Sequence, residues 1–158
     1  YTLSLHDALP ICHHRGHEND NEHQYRFRVL DELLERAGID REELYMTNLL
    51  KCMLPKCRKP KYDEIESCSR YLDREIELID PEVLAPLGYH AIKYIFEKYA
   101  IALPPKSEFH KICGKVFSAG NKKIVPLQHP AAVLYNRSMK EVLIKNYRKL
   151  KEVLSECS

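Results

Sequence analysis

Two five-residue apolar runs, LYMTN at Leu44–Asn48 and VLAPL at Val83–Leu87, constrain this chain more than any other feature. Each is too short for a helix, and the second is apolar throughout, the mark of a strand covered on both faces. Between them, Asp63 to Ile79 places Ile65, Cys68, Leu72, Ile76 and Ile79 on one stripe with charge elsewhere, which predicts an amphipathic helix stopped by Pro81. After Gly88 a second helical pattern runs through Tyr99. Strand, helix, strand, helix is the order of a parallel sheet with helices on its faces, because parallel neighbours need a crossover connection. An α/β fold in three α/β/α layers around a short, mainly parallel central sheet is therefore expected.

The remainder extends this frame. Leu30, Leu33, Leu34 and Ala37 recur at helical spacing up to Gly38, and Asp40 with Glu43 predicts a short capped turn. Residues 100–114 read as a surface loop with paired prolines. KVFS and KIVPL read as two further strands turning at Gly120 and Asn121, the second leading into His129-Pro130. Ser138 with Glu141 predicts a capping box for a last helix, Met139 to Cys157, with Leu143, Tyr147, Leu150 and Leu154 inward. Residues 1–24 show neither period, and five of the eight histidines crowd into them. Their opening, YTLSLHDALPI, resembles translated adapter sequence. We expect 1–24 to be a non-native or disordered segment and 25–158 to be one domain whose natural N-terminus has been lost.

Charge and cysteine content narrow the chemistry. A net charge of +2 on 158 residues excludes nothing by itself, but Lys51, Lys56, Arg58, Lys59 and Lys61 fall within eleven residues that carry no acid. Such a loop is either a phosphate contact or a solvated basic surface. Six cysteines without a leader pattern point to a reducing cytoplasm, where clustered thiols serve as metal or cluster ligands rather than bridges. No apolar stretch approaches the roughly 18 residues of a membrane span.

In an open parallel sheet, ligands bind beyond the carboxyl ends of the strands. Asn48 and His129 both follow strands directly, so one pocket can receive both. Each also has a plainer reading, Asn48 as a turn residue bonded to local backbone and His129 as a loop histidine. Cys68 on its own reads equally as a small buried hydrophobe.

TNLLKC, the basic loop with its R-K-P, the E-x-x-x-C ending in Cys68, VLAPLG, and HPAAVL before a final helix occur in an order that resembles the family 4, iron-sulfur uracil-DNA glycosylases, from about Leu30 to Leu154. The resemblance implies hydrolysis of the uracil–deoxyribose bond for base excision repair, by a monomer acting on uracil-containing DNA. It implies Asn48 as reader of the uracil edge and His129 as donor to uracil O2. Cys52 and Cys68 become two of four thiolates on a four-iron four-sulfur cluster. Val133 or Leu134 becomes an apolar wedge, and Lys51, Lys56, Arg58, Lys59 and Arg137 lie along DNA. The departures lie upstream. The family's glycine-rich strand end with its acid, its uracil-stacking phenylalanine and its first two cluster cysteines have no counterpart, and Cys12, Cys57, Cys113 and Cys157 match no ligand position. The resemblance therefore predicts a glycosylase domain lacking its first strand and half its cluster ligands. The alternatives are an inactive fragment that keeps nucleic-acid or cluster binding, and a zinc module of Cys52, Cys57, Cys68 and a histidine, whose spacings depart from the close pairs zinc sites use.

Overall fold

The structure, a computed structural model, describes residues 2–6, 20–51 and 60–157, with 2–6 and 20–27 described through their backbone. Five strands, β1 (Thr2–His6), β2 (Leu44–Asn48), β3 (Val83–Leu87), β4 (Phe117–Ala119) and β5 (Lys122–Ile124), form one sheet in the order β2-β1-β3-β5-β4. All pairs are parallel except β4 with β5. The helices are α1 (Asp20–Ala37), α2 (Tyr62–Ile79), α3 (Tyr89–Lys98), the single turn α4 (Ala132–Tyr135) and α5 (Met139–Glu156).

Side-chain alternation along β3 makes the layers. Val83, Ala85 and Leu87 point into a core shared with Leu30, Leu33 and Leu34 of α1 and Leu143, Tyr147 and Leu150 of α5. Leu84 points the opposite way, into a core with Leu72 and Ile76 of α2 and Ile92, Ile95 and Phe96 of α3. With a helical pair on each face every residue of β3 is buried, as its unbroken apolar run requires. Asp73 ties α2 to α3, accepting from Tyr94 Oη at 2.6 Å and pairing with Lys98 Nζ at 2.9 Å. Among the described residues no helix is long and apolar enough to cross a membrane.

Four details depart from the sequence expectation. The place of the first strand is filled: Thr2–His6 lies between β2 and β3 and pairs with both. Strand pairing is a backbone interaction, so a five-residue extended segment occupies that slot whatever its origin. Helix α1 begins at Asp20, ahead of the expected Tyr25 boundary. The run KIVPL is interrupted in the ladder: β5 stops at Ile124, because Pro86 of β3 has no N–H to donate to Val125 O, although Val125 and Leu127 N–H still donate to Leu84 O and Pro86 O, and Leu127 returns as an isolated bridge to Leu87. The Ser138–Glu141 capping box does not form. Ser138 is already helical at φ −65°, and Asn136 Oδ1 accepts from its N–H at 3.0 Å. The expected turn at Asp40 does form, its carboxylate accepting from the Glu42 N–H at 2.9 Å.

Burial leaves a titration signature. Desolvation pushes the Cys113 thiol up to about 12 and holds the Tyr147 hydroxyl above the usual tyrosine range, with Cys113 a further cause for Tyr147. Both groups thus lose their protons later in the folded protein than in the unfolded chain. Below the ordinary thiol value of about 8.5 both states are protonated and stability is unaffected; above it the unfolded chain ionises first. Urea midpoints are expected to fall as pH rises through 9 toward about 11, and Cys113→Ala to flatten the early part of that decline. A midpoint independent of pH over this range would contradict the burial of both groups.

Candidate active site

The register of the parallel strands lines up their carboxyl ends. Asn48 pairs with His6, His6 with Leu87, and Leu87 bridges to Leu127, so four chain positions stand in one row across the sheet edge. Neighbouring strands lie ~4.8 Å apart, so Asn48 and Leu127 are about 14 Å apart along that row. His129 follows Leu127 by two residues. Asn48 and the His129 turn are thus the two flanks of this edge.

Each flank is built locally. At the end of β2, Thr47 Oγ1 donates to Glu75 Oε2 of α2 at 2.8 Å, and Lys51 Nζ pairs with the same carboxylate at 2.6 Å and with Thr47 Oγ1. Leu49 is buried in the α2–α3 core, and Leu50 packs on Cys68 and Ile65. The chain around Asn48 is thereby clamped to α2, and among the described residues no hydrogen bond holds the half-buried Asn48 carboxamide.

On the other flank, Leu127 N–H donates to Pro86 O at 3.0 Å while Leu127 O accepts from Gly88 N–H at 2.9 Å. Gly88 sits at φ 89°, ψ 172°, a conformation essentially confined to glycine, and it turns β3 into α3 at this edge. His129 is half-buried, and its Nδ1 accepts from the Ala131 N–H at 3.1 Å. A ring nitrogen that accepts carries no proton, so the neutral imidazole keeps its proton on Nε2 and presents a donor there.

The other expected site residues divide. Val133 is buried in the α1–α5 core, Leu134 on the same helical turn is half-exposed, and Tyr135 is 80% exposed. A one-turn helix packed on α5 can turn only part of its residues inward, and Val133 is the one it buries. Arg137 is exposed. Lys51 is drawn back to Glu75 instead of extending to solvent. Lys56, Arg58, Lys59 and Cys52 lie outside the described residues, as does Cys57 of the zinc alternative.

Cys68 is buried and faces Leu50, two positions before Cys52. A four-iron four-sulfur cluster needs four thiolates. Among the described residues no three potential metal ligands stand together; Cys113 donates to Phe109 O at 3.6 Å in the α2–α3 core, and Cys157 packs against the α1–α5 core. Cys68 is thus the one expected cluster ligand among the described residues, which do not by themselves hold a cluster. A cavity of about 400 Å³ lies elsewhere, between α2 and α3, lined by Tyr62, Tyr89, His90, Tyr94 and Lys98 among others; neither Asn48 nor His129 borders it. Because the register, and not the depth of a hollow, brings the chain's polar strand-end groups together, the row at the sheet edge is the candidate site.

Comparison with known proteins gives the chain a family. The sequence profile of the Uracil DNA glycosylase superfamily matches residues 18–156. The chain belongs to that superfamily. It is 41% identical over 132 residues to the type-4 uracil-DNA glycosylase of Saccharolobus solfataricus, covering 81% of this chain and 58% of that protein. It is 36% identical to the type-4 enzyme of Archaeoglobus fulgidus, covering 80% and 64%. A DNA polymerase of Bacillus phage SP01 matches at 32% identity over 77% of this chain but only 12% of its own length. The chain thus spans between about half and two-thirds of the glycosylases it resembles, and about three-quarters of it matches a segment of the much longer phage polymerase.

Sequence reasoning passed over two features of the candidate site: the strand Thr2–His6 inside the row, and Gln128, a buried amide just before His129. Alternation in TLSLH and a lone glutamine closing an apolar run were the available signals. In a long-range 1H–15N spectrum at neutral pH, His129 is expected to show the pattern of the Nε2–H tautomer. The Nδ1–H pattern would contradict the bond from Ala131.

Proposed function

We propose that this domain excises uracil from DNA, with Asn48 and His129 gripping the flipped base. The row that brings Asn48 and the His129 turn to one sheet edge carries this reading, and membership of the superfamily supports it. Chemistry on a base requires its extrusion from the stack into a pocket. There, the Asn48 carboxamide oxygen accepts from uracil N3–H while its NH₂ donates to O4. Cytosine presents the opposite polarity at both atoms, leaving buried groups unpaired, which is how a polar pocket reaches high discrimination.

Water adds to the sugar C1′ as the C1′–N1 bond breaks, the electron pair of that bond leaves with the base, and the proton the water loses is taken up in the end by the departing uracil anion. Negative charge accumulates on uracil O2, where His129 Nε2–H donates. A neutral donor already oriented by Ala131 stabilises that charge without reorganisation. Leu134, the half-exposed residue of α4, takes the wedge position while Val133 anchors the turn from beneath. Arg137 and the basic residues Lys56, Arg58 and Lys59 contact phosphates; Lys51, paired with Glu75, sets the exit of β2 instead. Cys68 and Cys52 would hold two corners of an iron-sulfur cluster, whose contribution is to brace the basic loop against α2, since the reaction moves no electrons.

One observation favours a second reading, binding without excision. The sequence directly after His6, DALPI, carries no glycine, where the resemblance calls for a glycine-rich turn with an acid to place water. The two readings separate on a uracil-containing oligonucleotide incubated with protein and then with alkali. Strand breakage is expected, about 10² to 10³-fold slower in His129→Ala, as for loss of one such donor, and strongly reduced in Asn48→Ala. Tight binding with no breakage in the parent chain would establish the second reading.

A further inference from the structure

The residue before the proposed O2 donor is held from a third layer of the protein. Gln128 is 8% exposed, so its amide needs partners inside the fold. Its Oε1 accepts from Asn146 Nδ2 of α5 at 2.8 Å. Asn146 occupies a close-fitting seat: a methyl group on Gly114 would come within 2.4 Å of Asn146 Oδ1. Gly114 adopts φ +80° and donates its N–H to Pro126 O at 2.8 Å, so the same glycine that makes room for the asparagine grips the strand end that precedes Gln128. Next to Asn146, Tyr147 is almost fully buried among Leu143, Ile144 and Leu150, which makes this stretch of α5 part of the rigid core.

The ladder gives out beyond Leu127, and the chain must still deliver His129 in one orientation. On its far side His129 is fixed by Ala131 N–H. On its near side the Gln128–Asn146 bond is the tether that ties the turn to α5. We propose that Asn146 and Gln128 are positioning residues for His129, with Gly114 kept small so that the Asn146 amide can reach the turn. The proposal rests on the reading of His129 as the group that meets the base, but it concerns the turn itself, which can be observed without substrate.

Three variants of the full chain test it: Asn146→Ala, Gln128→Leu and the double variant. A misplaced donor costs rate more than affinity, so kcat on a uracil-containing oligonucleotide is expected to fall between about 10- and 100-fold with KM little changed. Because both single variants break one bond, the double variant is expected to fall no further than the worse single one. Asn146→Asp is expected to restore much of the rate, since the Gln128 amide can turn over and donate its NH₂ to the carboxylate. In the substrate-free protein, the His129 ring resonances are expected to move in Asn146→Ala and to return toward the parent position in Asn146→Asp.

Additive losses, an Asn146→Asp variant as slow as Asn146→Ala, or unmoved His129 resonances would each overturn the proposal. Should the parent chain break no strands at all, the excision reading fails, while the His129 resonances still decide whether Asn146 positions the turn. Were Asn146→Ala not to fold, Gln128→Leu carries the same kinetic and spectroscopic comparison.

Discussion

The parallel backbone ladder across β2, β1, β3 and Leu127 is the interaction on which everything else depends. Its hydrogen bonds carry no chemical specificity, yet by setting the strands level they deliver Asn48, His6, Leu87 and Leu127 to one edge. Parallel strands place all their carboxyl ends on the same side, so residues far apart in the chain become neighbours there. β1 is the keystone of that arrangement. It is the only described strand that touches both β2 and β3, and the distance between the two flanks of the site includes its width.

The two flanks are fastened to opposite layers. The exit of β2 is fixed to α2 through Glu75, Thr47 and Lys51 and through the packing of Leu50 on Cys68. The His129 turn is fixed to α5 through Gln128 and to α3 through the Leu127–Gly88 bond. The Lys51–Glu75 pair is partly exposed and worth at most about 1 kcal/mol. Leu49, buried to 1%, contributes roughly 1.5–3 kcal/mol by leaving water. Apolar burial therefore holds the flank in place, and the polar contacts choose its orientation. The same division applies to α4, where buried Val133 seats the turn and Leu134 and Tyr135 are left at the surface.

Much of this could be read from the chain. The apolar run at Val83–Leu87, the stripe of α2 and the final helix are periodic patterns, and burial enforces periodicity wherever a face is covered. Asn48 and His129 were legible as strand-end residues, and the order of motifs pointed to the superfamily that the comparisons bear out. The strand Thr2–His6 was not legible as structure, because five residues bounded by histidine-rich sequence carry too little pattern. The early end of β5 was hidden because an apolar run does not announce where a proline has removed a donor. Whether Val133 or Leu134 faces outward could not be read from adjacent apolar residues.

By itself, the sequence determined the α/β alternation, the two-faced burial of the central strand and the identity of the polar residues available at strand ends, because these follow from local periodicity and residue chemistry. Only the tertiary structure decided that Asn48 and the His129 turn share one sheet edge, that Val133 is core, and that Asn146 reaches Gln128 past Gly114. Those relations depend on register and on contacts between distant segments, and no local pattern encodes the distance between two strands that a third one separates.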